Sequence, residues 1–251
     1  MTSGLRKPSI RAIGIALLAS FSASAALEAQ VDDFLFGQPN ISLFARFGYS
    51  LASANSDIFD FTSEELTVNK SDFGSFAFHG EFAIRLEDRL DLGIGVGIES
   101  STTTSEFREF VGTDDLPIVQ QTTFGRYPVT VGAKYYLADR GRSIGEFAWI
   151  PAKLAPYVGA GGGIMPYRFV QEGEFVDFQT LDIFLDRFES TGVGVMGYVA
   201  AGLDVSLGKR WIVNGDARYS FASAGMDQDF VDFDNIDLSG LRFALGFGVR
   251  L

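Results

Sequence analysis

The chain alternates large apolar with small or polar residues over much of its length. In the last eleven residues every odd position is large and apolar (Leu241, Phe243, Leu245, Phe247, Val249, Leu251). Every even position is small or cationic (Arg242, Ala244, Gly246, Gly248, Arg250). Successive side chains of a strand point to opposite faces, so this segment has one greasy face and one that is polar or nearly bare. A soluble sandwich would turn the greasy face into a core. Here glycine and charge occupy the face where a core needs bulk, which predicts the inside-out arrangement of a transmembrane β-barrel.

Eight such segments are expected: 40–51, 73–85, 90–100, 126–137, 156–167, 193–207, 211–221 and 241–251. The third is the cleanest, with Leu90, Leu92, Ile94, Val96 and Ile98 set against Asp91, Gly93, Gly95, Gly97 and Glu99. In the first, Phe44 falls on the polar side. In the fifth, glycine is so dense that alternation leaves the register open. Eleven residues at roughly 3.3 Å each, tilted by about 45°, cover ~25 Å, the height of a barrel's apolar band. Short turns near 87–89 and 208–210 and an intermediate one over 138–155 alternate with connections of about twenty residues at 52–72, 99–126, 168–191 and 222–239. Even strand count and alternating loop length put both barrel ends at the periplasmic rim. The inward set then contains Arg46, Glu81, Arg85, Asp91, Glu99, Lys134, Asp204, Asp216, Arg218, Arg242 and Arg250. Eight strands enclose a space just wide enough for side chains to fill, so these charges are expected to pair as a polar plug.

The front of the chain agrees with export. Arg6, Lys7 and Arg11 precede a short apolar run at 13–21 and an Ala23-Ser24-Ala25 cleavage motif. The run is far shorter than the roughly 20 residues of a spanning helix, so a cleaved signal peptide is expected at 1–25. A periplasmic N-terminal segment follows at 26–39, then an all-β, eight-stranded antiparallel up-and-down barrel domain at 40–251.

Composition narrows the chemistry. There is no cysteine, which excludes disulfides, thiolate metal sites, a catalytic thiol and the lipid-bearing cysteine of a lipoprotein. Lys and Arg number 20 against 32 Asp and Glu, a net charge of −12; removing three basic residues with the signal leaves 17 against 32, or −15. Nucleic acid is not expected as a partner of so acidic a chain. The four long connections hold 21 of the 32 acids.

The stretches Lys134-Tyr-Tyr-Leu137, Pro156-Tyr-Val-Gly-Ala-Gly-Gly-Gly163, Ala217-Arg-Tyr219 and Gly246-Phe-Gly-Val-Arg-Leu251 resemble the small eight-stranded outer-membrane barrels of Gram-negative bacteria (the OmpA transmembrane domain, OmpX-like and OmpW-like proteins). The resemblance covers 40–251. It implies an outer-membrane location, contact with outer-membrane lipids and lipopolysaccharide, assembly by the barrel-insertion machinery, and a monomer. Such chains usually end on an aromatic residue; this one ends on Leu251, with Phe243 and Phe247 keeping the rest of the pattern.

Three features invite a chemical reading. Gly192-Val-Gly-Val-Met-Gly197 matches a dinucleotide fingerprint, but that motif needs a strand before it and a helix after it, and here it opens an alternating strand. His79, the one histidine, lies mid-strand facing inward beside Glu81, with no nucleophile in view, and reads as a lumen residue. The loop 226–237 holds five aspartates without the central glycine and terminal glutamate of an EF-hand, and reads as a solvated acidic loop, with a weak divalent-cation site as the alternative. No catalytic, cofactor-binding or metal-binding residue is therefore assigned, and no cofactor. The expected role is structural support of the envelope or surface interaction through the long acidic loops. The alternatives are a conduit or narrow channel for small hydrophobic molecules and, less well supported, a lipid-modifying enzyme.

Overall fold

The computed structural model describes residues 35–251 except 113, 114 and 146. The export signal expected at 1–25, and all but the end of the 26–39 segment, lie outside the described residues.

The barrel strands are β2 (Ile41–Ala52), β3 (Ser75–Glu87), β4 (Leu90–Val111), β5 (Pro117–Arg126), β6 (Val129–Tyr136), β9 (Leu154–Val176), β10 (Ile183–Ser206), β11 (Trp211–Ala224) and β13 (Gly240–Arg250). β5 and β6 are one stave. Both pair with β4 on one side and β9 on the other, and the register runs through unbroken: Glu99 faces Arg126 and Val96 faces Val129. The ladder lapses at Pro128, which has no N–H to donate. Eight staves result, all antiparallel. Followed from β2 through β3, β4, β5–β6, β9, β10, β11 and β13, the pairings return to β2, so the sheet is closed. At the turn rim β1 (Leu35–Phe36), β8 (Ala148–Pro151) and β7 (Gly141–Ile144) form a small separate sheet.

Facing follows the sequence pattern. Phe47, Ile94, Val96, Val131, Val199, Phe243, Leu245 and Phe247 are exposed on the outside, and ten of the eleven predicted inward charges are buried, Arg85 being half-buried at the rim. Among the described residues no helix is long and apolar enough to cross a membrane; the strands supply the crossing. Phe44 is no exception to the alternation. It is buried on the inward face, where its ring lies under Lys134 and Arg46 at 4.4 and 4.7 Å.

Two of the four long connections are corrected. Most of 99–126 and 168–191 continues the barrel wall as hairpins β4/β5 and β9/β10, rising past the apolar band. Outward residues there turn polar: Thr102, Thr104 and Glu106 on β4, and on β9 and β10 a ladder in which Arg168 meets Glu189 at 2.6 Å and Arg187 meets Glu172 at 3.6 Å. A strand with polar residues on its outer face loses the alternation that marks a membrane stave, so it reads as loop. The β9/β10 turn is closed by the Asp177 carboxylate, which accepts from the Gln179 and Thr180 amides; these bonds hold its pKa below the usual carboxylate range.

The other two long connections fold over the mouth. The 53–74 segment carries helix α1 (Asp57–Glu65), and the 225–239 segment carries the short strand β12 (Ile236–Asp237), which pairs with β11. Ile58, Phe59, Leu66, Val68, Phe230 and Leu238 from these segments are buried against inward residues Phe124, Met165, Phe169 and Met196 of the wall. The interior is therefore polar in its lower half and apolar in its upper half.

The register of β13 makes a facing prediction. Leu245→Arg places a charge on the lipid face near mid-bilayer and should cost roughly 2–4 kcal/mol in liposome unfolding, whereas Thr102→Arg, on the outer face of β4 above the band, should cost close to nothing. Gly246, on the lumen side of the same strand, does not tolerate a side chain. A Cβ there would lie 2.4 Å from the Ala45 carbonyl oxygen, so this glycine lets β13 approach β2 closely.

Candidate functional site: the lumen

The inward positions of eight staves converge on one axis, and the charges they carry sort into three levels. At the turn rim Arg140 clasps Asp91 with both contacts below 3 Å (2.7 and 2.8 Å) and stacks on Tyr136. Tyr136 donates to Asp204 at 2.9 Å, and Arg250 donates to Ser206 at 2.9 Å. Arg85 bonds Asp88 at 2.6 Å on the same rim.

At mid-height Glu81 is the hub. Its carboxylate receives Arg46 at 3.1 Å, the Lys134 ammonium, and Arg218 at 3.7 Å. Asn214 joins this level to the rim: its amide oxygen accepts from Arg46, and its nitrogen donates to Asp204 and to the Tyr157 hydroxyl. Tyr157 in turn donates to Asp216 at 3.0 Å. His79 lies between Arg46 and Arg218, 3.5 Å from each.

The upper level is Glu99. It accepts from Ser50 at 2.7 Å and pairs with Arg126 at 2.9 Å and Arg242 at 3.7 Å. Arg126 also donates to the carbonyls of Leu238 and Ser239, both at 3.1 Å, tying the charged lumen to the loop that caps it. Above this level begins the phenylalanine core, where the Phe59 ring meets Phe73, Phe124 and Phe169 at centroid distances of 4.8, 5.2 and 5.9 Å.

All eleven inward charges are thus in or at the rim of the lumen. Sequence reasoning omitted Arg126, although its even number gives it the parity of Lys134, because it stood at the expected strand end. It also missed Arg140, which reaches Asp91 from a turn, and the apolar cap. One glycine of 156–167 has a packing role at the axis. Gly161 faces inward opposite Gly132, and a Cβ on Gly132 would sit 2.0 Å from the Tyr198 hydroxyl, so these glycines make room for a ring that stacks on Arg218 at 4.1 Å. Gly192, Gly194 and Gly197 lie within β10, paired to β9 and with no helix after them; a Cβ on Gly194 would meet the Ser223 carbonyl at 2.5 Å.

The acids of 226–237 do more than face solvent. Asp227 accepts from the Thr191 amide and Asp229 from the Glu189 amide, clamping the cap to the hairpin wall, while Asp237 accepts from the Asn55 amide and joins the two cap segments. Among the described residues no three acidic or histidine side chains stand together as metal ligands.

A closed antiparallel barrel, apolar outside and charged inside, is an integral β-barrel protein of the outer-membrane type. No protein-family model matches the chain, and no curated protein sequence is similar to it. Solved structures with a similar course include Neisserial surface protein A (11% identity, covering 88% of this chain and 98% of that one, TM-score 0.46). OprG from Pseudomonas aeruginosa has 13% identity, covering 88% and 99%, with a TM-score of 0.45. The attachment invasion locus protein Ail of Yersinia pestis has 14% identity, covering 85% and 100%, with a TM-score of 0.42. The assignment to the class rests on the strand pairing and facing described above.

Proposed function

We propose that this protein is a closed, non-conducting barrel whose work is done at the outer surface, as an envelope scaffold or a surface-interaction protein, and that it is not an enzyme. The observation that carries the reading is the filled lumen. Ion pairs and hydrogen bonds cross it at three levels, and the phenylalanine core seals it above. Opening a path would break contacts at every level and leave buried charges without partners, each at a cost of several kcal/mol. His79, walled in by arginines, has no route to a substrate. What remains accessible is the acidic exterior of the two raised hairpins and the cap. On this reading the partners are outer-membrane lipids and lipopolysaccharide, the barrel-insertion machinery acts during assembly, and the protein is a monomer with no affinity for nucleic acid.

Planar-bilayer recording tests this. The unmutated protein should show no steady conductance. Long-lived openings of reproducible size would overturn the plugged reading in favour of a channel. Silence for ions with facilitated uptake of an apolar solute into liposomes would favour the hydrophobic conduit instead.

A further inference from the structure

The charges of the middle and upper levels of the lumen do not balance. Arg46, Arg126, Lys134, Arg218 and Arg242 are buried there against Glu81, Glu99 and Asp216, five cations to three carboxylates. The imbalance is concentrated at one pair. Arg218 and Arg242 stand directly opposite one another on β11 and β13, both inward and each only 4% exposed. Like charges in that relation repel, and a guanidinium does not shed its proton.

The carboxylates nearby do not neutralise them closely. Arg242 lies 3.4 Å from Asp216 and 3.7 Å from Glu99; Arg218 lies 3.7 Å from Glu81 and 3.9 Å from Asp216. By contrast, Arg46 closes on Glu81 at 3.1 Å and Arg126 on Glu99 at 2.9 Å. The Nε–H of both Arg218 and Arg242 is buried with no acceptor. His79 adds a third donor. Its two ring nitrogens lie 3.5 Å from Nη1 of Arg46 and Nη1 of Arg218, and an imidazole has at most one accepting nitrogen. At least one of these contacts therefore sets donor against donor.

Surplus positive charge, unfilled donors and long ion pairs at one place call for an acceptor that the chain does not supply. We propose that the lumen binds a small inorganic anion of chloride size between Arg218 and Arg242, beside His79. The anion accepts from the two Nε–H groups and the imidazole N–H, screens the two arginines from each other, and completes the plug. The inference depends on the lumen geometry and not on any role at the surface.

The test uses the unmutated protein refolded into detergent micelles with sodium bromide as the sole halide, crystallised and measured at the bromine edge. An anomalous peak in contact with both guanidiniums is expected. Thermal unfolding supplies a second reading: Tm should rise and saturate with sodium chloride relative to sodium gluconate at equal ionic strength, and Arg242→Gln should abolish that rise. Bromide peaks confined to the outer surface, or a wild-type Tm indifferent to the anion, overturn the proposal. If Arg242→Gln does not fold, the crystallographic measurement still decides. Either result leaves the conductance test of the surface role independent.

Discussion

Replacing Glu81 by alanine is expected to be the most damaging single change in the lumen, costing on the order of 3–5 kcal/mol in unfolding from lipid vesicles. The size follows from what remains. Arg46, Lys134 and Arg218 all direct charge at this carboxylate. Without it three cations stay buried in a space that already has too few anions. Removing one partner of a buried pair is far costlier than the pair's net contribution, because the desolvation of the survivor is no longer offset. An exposed ion pair behaves differently. Glu189 is held by Arg168 at 2.6 Å and Arg187 at 2.9 Å, closer than Arg46 and Arg218 approach Glu81, yet its side chain is 34% exposed above the band. Glu189→Ala should cost under about 1 kcal/mol. Equal costs for the two substitutions would contradict a charge-packed lumen.

Phe59→Ala is the second large effect, expected at about 3–5 kcal/mol. Phe59 is fully buried and is the ring that Phe73 of the cap and Phe124 and Phe169 of the wall surround, so its removal leaves a cavity where the cap meets the wall. The loss should fall on the cap. Proteolysis from outside should cut within 53–74 much faster in the variant, while the strands below stay protected. Bilayer conductance should remain absent, because the charged levels beneath do not depend on this ring. A variant with unchanged cutting would mean that α1 is not seated in the mouth.

The membrane staves were legible in the sequence because the bilayer imposes one rule on every outward position. Leu90 to Ile98 and Leu241 to Val249 obey it without exception, and the inward charges follow by parity. Two kinds of information lay outside that rule. Above the band the outer face meets water, so Thr102, Thr104 and Glu106 carry no apolar signature, and strand continues where the pattern suggests loop. The cap was hidden for the opposite reason. Ile58, Phe59, Leu66 and Val68 are apolar, but they sit among Asp57, Asp60, Glu64 and Glu65, and the acids set the impression of a solvated loop. Their spacing at 58 and 59 on a nine-residue helix is too short a signal to show which surface it covers. Partner choice within the lumen was also out of reach, since parity tells that Arg218 and Arg242 face inward but not that they face each other.

The central claim, a barrel facing lipid at mid-height and water above, is tested most directly along the outer face of β4. The chain has no cysteine, so single cysteines can be introduced at Ile94, Val96, Ile98, Thr102, Thr104 and Glu106 and spin-labelled in liposomes. Positions 94, 96 and 98 should be accessible to oxygen and closed to a water-soluble nickel chelate, and positions 102, 104 and 106 should show the reverse. Nickel access at 94–98, or oxygen preference extending through 106, would contradict the account.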